Sequence, residues 1–176
     1  MKATPMEKLF TVFDETAAVL QDELACTYLE ALAETGENLF HQDILQDELN
    51  ELTKKRLQKK YETVSLGAMD AEDIRKAYQL AILKGMKGHV QPNHQMTPDT
   101  IGYMASYLIG KFFTGETKLS ILDPAVGTGN LLSTILNRHG MLITQAFGVD
   151  VDDLLIKLAY TGANLQRQST QFYNQD

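Results

Sequence analysis

Apolar residues in the first half of the chain recur at helical spacing. Met6, Leu9, Phe10, Phe13, Ala17, Leu20, Leu24, Tyr28 and Leu32 fall on one stripe. This predicts a helix that starts at Thr4-Pro5, a hydroxyl cap followed by a proline whose missing N–H is no loss there, and stops at Gly36. A second helical pattern runs from about Asn38 to Tyr61 on Leu39, Leu45, Leu49, Leu52 and Leu57. Ser65 to Met69 reads as a break. Asp70 then caps a third helix, with Glu72 and Asp73 in its first turn and Ile74, Ala77, Tyr78, Ala81 and Ile82 on its buried face. That helix runs out near Gly85 and Gly88.

From about Asn93 the texture changes to short apolar runs punctuated by glycine, which places a boundary between a helical domain, 1–92, and an α/β domain, 93–176. Thr97 reads as a cap and Pro98 as the first position of a helix that buries Ile101, Met104, Ala105, Leu108 and Ile109. Leu119 to Leu122 reads as a buried parallel strand ended by Asp123. A tight loop, Pro124 to Gly129, follows, and a helix restarts at Asn130. Ile143 to Val149 is the next strand, closing on Asp150; Asp152 and Asp153 then cap and open a helix over Leu154 to Asn164. Thr170 to Tyr173 is a third strand. The fold class is therefore α plus α/β: a bundle of three helices, then a fourth helix leading into β-α-β-α-β, the first half of a Rossmann-like parallel sheet.

Composition narrows the function. The chain has 176 residues, 44% of them hydrophobic, enough for a real core, and a net charge of −7. An acidic balance argues against a general nucleic-acid-binding surface, which needs Lys and Arg to displace counterions. The basic run Lys54, Lys55, Arg56, Lys59 and Lys60 could contact phosphate, but it wraps around its helix among acids and reads as a solvated face. A single cysteine, Cys26, excludes an internal disulfide and sits in a helical pattern as a small core residue. His41, His89, His94 and His139 show no metal-ligand spacing, and no nucleophile–base pair can be argued. Without an apolar leader or a membrane-length run, the expectation is a soluble cytoplasmic protein.

The chemistry lies in Leu119–Leu132, LSILDPAVGTGNLL. Strand, glycine loop and helix together form the common cradle for a nucleotide-like ligand at a strand's C-terminal end. Gly127 and Gly129, lacking Cβ, let the backbone turn sharply and lie against a ligand. No Gly-Lys-Ser/Thr follows, so this is not a P-loop, and Leu132 stands where a dinucleotide fingerprint has its last glycine. Asp123 would repel a pyrophosphate but would accept hydrogen bonds from a ligand ammonium, such as that of S-adenosylmethionine. Asp150, about 20 residues past the loop, stands where a βαβ unit holds ribose hydroxyls, with Val151 against an adenine face.

Gln95-Met96-Thr97-Pro98, Leu122-Asp123-Pro124-Ala125-Val126-Gly127-Thr128-Gly129 and Gly148-Val149-Asp150-Val151-Asp152 together resemble the first motifs of bacterial N6-adenine DNA methyltransferases. The order matches the group in which the Thr-Pro motif comes first. Type I restriction-modification methylation subunits share that order and also begin with a helical domain; stand-alone adenine-specific methylase-like proteins of bacteria are similar over essentially the whole chain. The resemblance implies that Thr97 and Pro98 line the cofactor's methionine end and that Asp123 meets its ammonium. Ala125, Gly127, Thr128, Gly129 and Asn130 would form the loop beneath it. Asp150 would take the ribose hydroxyls and Val151 the adenine ring. Asp176, after the third strand, would meet the adenine amino group.

The sequence also departs from that family. The Asn/Asp-Pro-Pro-aromatic tetrapeptide that receives a flipped adenine is missing, as is a target-recognition region. The expectation is thus a piece of a longer methyltransferase, inactive alone, whose full-length parent would act on DNA. Its first strand would lack a neighbour on one flank, so the chain would self-associate through that edge or through the helical domain. Two other functions stay open: a non-catalytic protein-interaction module, or a methyltransferase of RNA, protein or a small molecule.

Overall fold

The computed structural model describes residues 3–88, 96–115 and 118–176. They fall into two compact units, Met1–Val90 and Gln91–Asp176. The boundary expected after residue 92 lies outside the described residues, as do His89 and His94.

The first unit holds four helices rather than the expected three: α1 (Pro5–Leu24), α2 (Tyr28–His41), α3 (Glu51–Tyr61) and α4 (Ala71–Gly88). Helix α1 packs against the other three. Its Leu9, Phe13, Ala17 and Leu20 are fully enclosed, along with Leu32, Leu57 and Ala77. The single helix expected from Pro5 to Gly36 is broken at Ala25, which adopts the left-handed conformation (φ 48°). Thr27 then restarts the chain: its hydroxyl accepts from the Glu30 N–H, and Glu30 Oε2 accepts from the Thr27 N–H at 2.7 Å. Gly36 does not stop α2. It is buried on that helix, where packing overrides its weak propensity, and the turn into the left-handed region comes at Gln42.

The helix expected from Asn38 likewise starts only after residue 50. Asn38, fully buried, donates to Gln46 Oε1 (2.7 Å) and accepts from the Leu45 N–H (3.0 Å), which fixes a loop ahead of α3. Leu45 and Leu52, expected inside, are exposed. Asn50 caps α3, and a 3-10 turn at Leu66–Ala68 fills the expected break. Cys26 lies half-buried in the α1–α2 link rather than in the core, where partial burial and the Glu30 charge push its thiol up. In the basic run Lys60 pairs with Glu15, while Lys55, Arg56 and Lys59 are exposed.

The second unit comprises α5 (Asp99–Phe112), β1 (Leu119–Asp123), α6 (Asn130–His139), β2 (Ile143–Asp150), α7 (Asp153–Leu165) and β3 (Gln171–Asn174). The sheet is parallel, in the order β1-β2-β3. Asp123 is level with Gly148, and Asp150 with Asn174. Helix α6 packs on α5 and β2, and α7 on β2 and β3. The core gathers Val126, Leu132, Ile135, Leu136, Ile143 and Ala146. The helical domain followed by a partial parallel sheet is the architecture expected from the sequence, and in the second unit β1 and α5 differ locally from that expectation. Strand β1 is not buried on both faces, since Ser120 and Leu122 are exposed. Helix α5 turns Gly102 and Ser106 inward, leaving Ile101, Met104 and Leu108 exposed, because its close approach to α6 favours small residues. Among the described residues no helix is long and apolar enough to cross a membrane.

Candidate functional site

Strand β1 ends level with Gly148, two residues before the end of its neighbour β2, and the segments that leave the two strands are stitched to each other. The Val126 N–H donates to Val149 O (2.9 Å) and the Gly127 N–H to Asp150 Oδ2 (2.8 Å), so the glycine loop lies across the end of β2. The Gly129 N–H closes the turn on Val126 O at 2.8 Å. Both glycines are left-handed, Gly127 with φ 52° and Gly129 with φ 77°. Nothing lies within 4 Å of the position where Gly127 would carry a Cβ, so the loop presents bare backbone to open space. Gly129 instead abuts α7, where an added Cβ would come within 3.2 Å of Ala159 Cβ. Gly148, two residues before the end of β2, is hemmed in by Phe172 (2.8 Å) and Val126 (3.0 Å) in the same sense.

Two carboxylates border this loop. Asp123 Oδ1 accepts from the Ala125 N–H at 3.2 Å. Burial pushes the Asp123 carboxyl above its ordinary range, the Asp150 charge adds to that, and the Ala125 N–H works against both. Asp150 uses one oxygen for Gly127 and the other for the Asp152 N–H (3.1 Å). Asp152 in turn caps α7 by accepting from the Leu155 N–H at 3.0 Å, the role expected for it. Val151, the residue after Asp150, is 64% exposed and offers an apolar surface at the end of β2.

The Thr-Pro motif reaches the same place by another route. Thr97 is not the helix cap: Pro98 occupies that position with an extended ψ of 146° and no side-chain cap bond, because α5 starts one residue later than expected. The link to the loop is Asn130, which is buried and donates its amide to Thr97 O (2.8 Å) and to Asp99 Oδ1 (3.2 Å). Its amide is therefore turned toward α5. The structure thus brings Thr97, Asp123, the loop from Ala125 to Asn130, Asp150 and Val151 to one end of the sheet. Thr128 is half-buried in the loop and Pro98 exposed at its edge. Asp176 is exposed two residues beyond β3. The strand end itself carries Asn174, whose amide donates to Val151 O (3.2 Å), while the next N–H, of Gln175, donates to Asp150 O (3.1 Å). Asp99 and Asn174 escaped the sequence reading; a first-turn acid after Thr-Pro was the visible trace of the former. Among the described residues no group of three or more His, Cys, Asp or Glu could hold a metal ion.

A crystal structure from Listeria monocytogenes, of a candidate class I S-adenosylmethionine-dependent methyltransferase, superimposes with a TM-score of 0.89 at 50% identity, over 98% of this chain and 53% of that one. The fold matches part of a methyltransferase fold. The methyltransferase subunit of a type I restriction-modification system from Streptococcus thermophilus shares the fold at 18% identity, with a TM-score of 0.60 over 97% of this chain and 40% of its own. In sequence the chain is 45% identical to the uncharacterized protein YtxK of Bacillus subtilis over 169 residues, 96% of this chain and 51% of that protein. Residues 7–86 match the YtxK N-terminal helical domain. The chain spans about half the length of the Bacillus and Listeria relatives, 51% of the former and 53% of the latter.

Proposed function

We propose that this chain binds S-adenosylmethionine at the C-terminal ends of β1 and β2, as the cofactor-binding part of an N6-adenine-specific DNA methyltransferase. One observation carries the reading: Asp150 holds the Gly127 N–H, so a glycine backbone with open space before it is fixed beside two carboxylates at adjoining strand ends. These groups fit the cofactor's parts. Asp123 accepts from the ammonium, the loop accommodates the methionine portion, Asp150 retains acceptor capacity for ribose hydroxyls, and exposed Val151 offers a face for adenine.

The cofactor is supported by the close structural likeness to a candidate class I methyltransferase. The adenine substrate rests on the order of the three sequence motifs. The chain's four prolines are Pro5, Pro92, Pro98 and Pro124, so no Pro-Pro pair lies within these residues. Methyl transfer is accordingly assigned to the portion of the relatives that this chain does not span, and binding of DNA by the chain alone should be weak.

Calorimetric titration with S-adenosylmethionine tests the reading, with Asp150→Ala as control. Saturable binding that the variant loses is the expected result. Binding unchanged in the variant would remove the site from the ends of β1 and β2.

A further inference from the structure

We infer that Asn130 is a positioning residue for the amino-acid end of the cofactor, acting through Thr97 rather than by touching the ligand. The inference rests on the S-adenosylmethionine reading above. Asn130 is the first residue of α6 and follows the glycine loop directly. Its amide spans to the start of α5, donating to Thr97 O and Asp99 Oδ1, from a position only 7% exposed. The loop and the Thr-Pro motif are separated by some thirty residues of chain, and α5 has no side-chain cap of its own at Pro98. Asn130 and Asp99 thus form a clasp that sets where Thr97 and Pro98 stand relative to Gly127 and Gly129. The clasp lies beside the methionine end, whereas Asp150 and Val151 hold the nucleoside end independently of it.

That separation gives a test with two probes. The chain, Asn130→Ala and Asn130→Asp are titrated with S-adenosylmethionine and with 5′-methylthioadenosine, which keeps the nucleoside but lacks the amino-acid end. Losing these hydrogen bonds should weaken S-adenosylmethionine about tenfold and change methylthioadenosine by less than about twofold. Asn130→Asp keeps the size, loses the donors and sets a carboxylate against Asp99, so it should match or exceed the alanine variant. Asp150→Ala should weaken both probes. Equal losses on both probes in the Asn130 variants, or no loss on either, would overturn the positioning role. Amide hydrogen exchange supplies a readout that needs no ligand: in both Asn130 variants the first turn of α5 should exchange faster while β2 does not. Unchanged exchange at α5 would refute the clasp. If the unaltered chain binds neither probe, the cofactor reading itself fails and the role falls with it, even where exchange shows the clasp intact.

Discussion

Gly129 and Ala159 meet so closely that a single added methyl on the glycine would stand 3.2 Å from the alanine's Cβ. The glycine also has φ 77°, so two separate strains follow from Gly129→Ala: a left-handed backbone and a displaced α7. We expect a loss of about 1–3 kcal/mol in chemical denaturation. Gly127→Ala shares only the first strain, and about 1 kcal/mol is expected for it. Equal losses for the two variants would show that the α7 contact contributes nothing.

Asp123 predicts a conflict between stability and binding. Its carboxyl is raised, so the folded state favours the protonated form relative to the unfolded chain, and the ionised form is a net strain at neutral pH. Asp123→Asn keeps an acceptor for the Ala125 N–H and removes the charge. Its melting temperature without ligand should rise by a few degrees, roughly 1–4 °C, at pH 7. The gain should shrink as pH falls through the raised pKa of Asp123 and vanish below the ordinary carboxylate range, where the aspartate is neutral in both states. The same variant should lose S-adenosylmethionine binding.

Ala25 is a left-handed alanine at the end of α1. Ala25→Gly should therefore stabilise the helical unit, by about 0.5–1 kcal/mol, despite the greater freedom of its unfolded chain. Thr27→Ala removes the other half of the corner, the hydroxyl of the capping box, and should destabilise by about 1 kcal/mol. Circular dichroism melts read both changes.

Among the described residues β1 pairs with β2 alone, and Leu122 on that strand is 59% exposed. An open apolar edge of this kind favours strand pairing with a second copy about a two-fold axis. Sedimentation over a dilution series should show a reversible monomer–dimer equilibrium, and Leu122→Lys should shift it toward monomer. A chain that stays monomeric at every concentration would refute the prediction.

The features legible in the sequence are those whose chemistry is local. The strand–loop–helix at Asp123–Asn130, the end of β2 at Asp150 and the Asp152 cap each announce themselves within a few residues. The α1–α2 corner was equally local, with Thr27 three residues before Glu30, but Leu24, Tyr28 and Leu32 stay in phase across it and hide the break. Helix α5 shows the opposite limit. Its apolar period was visible, yet periodicity does not say which face is packed, and proximity to α6 selected Gly102 and Ser106 over Ile101 and Met104. The partners of Asn130 stand 33 and 31 residues away, so no local pattern could reveal what its amide holds.

Gly148 has a consequence of another kind. With Phe172 on one side and Val126 on the other, its place on β2 admits no side chain unless a neighbour recedes. In a library of random variants, position 148 should be invariant among survivors, except in clones that also carry a smaller residue at 172. Three residues further on, exposed Val151 should drift freely under selection for folding and be constrained only under selection for ligand. The two positions would thus record separate histories, one of how the sheet is assembled and the other of what it is asked to hold.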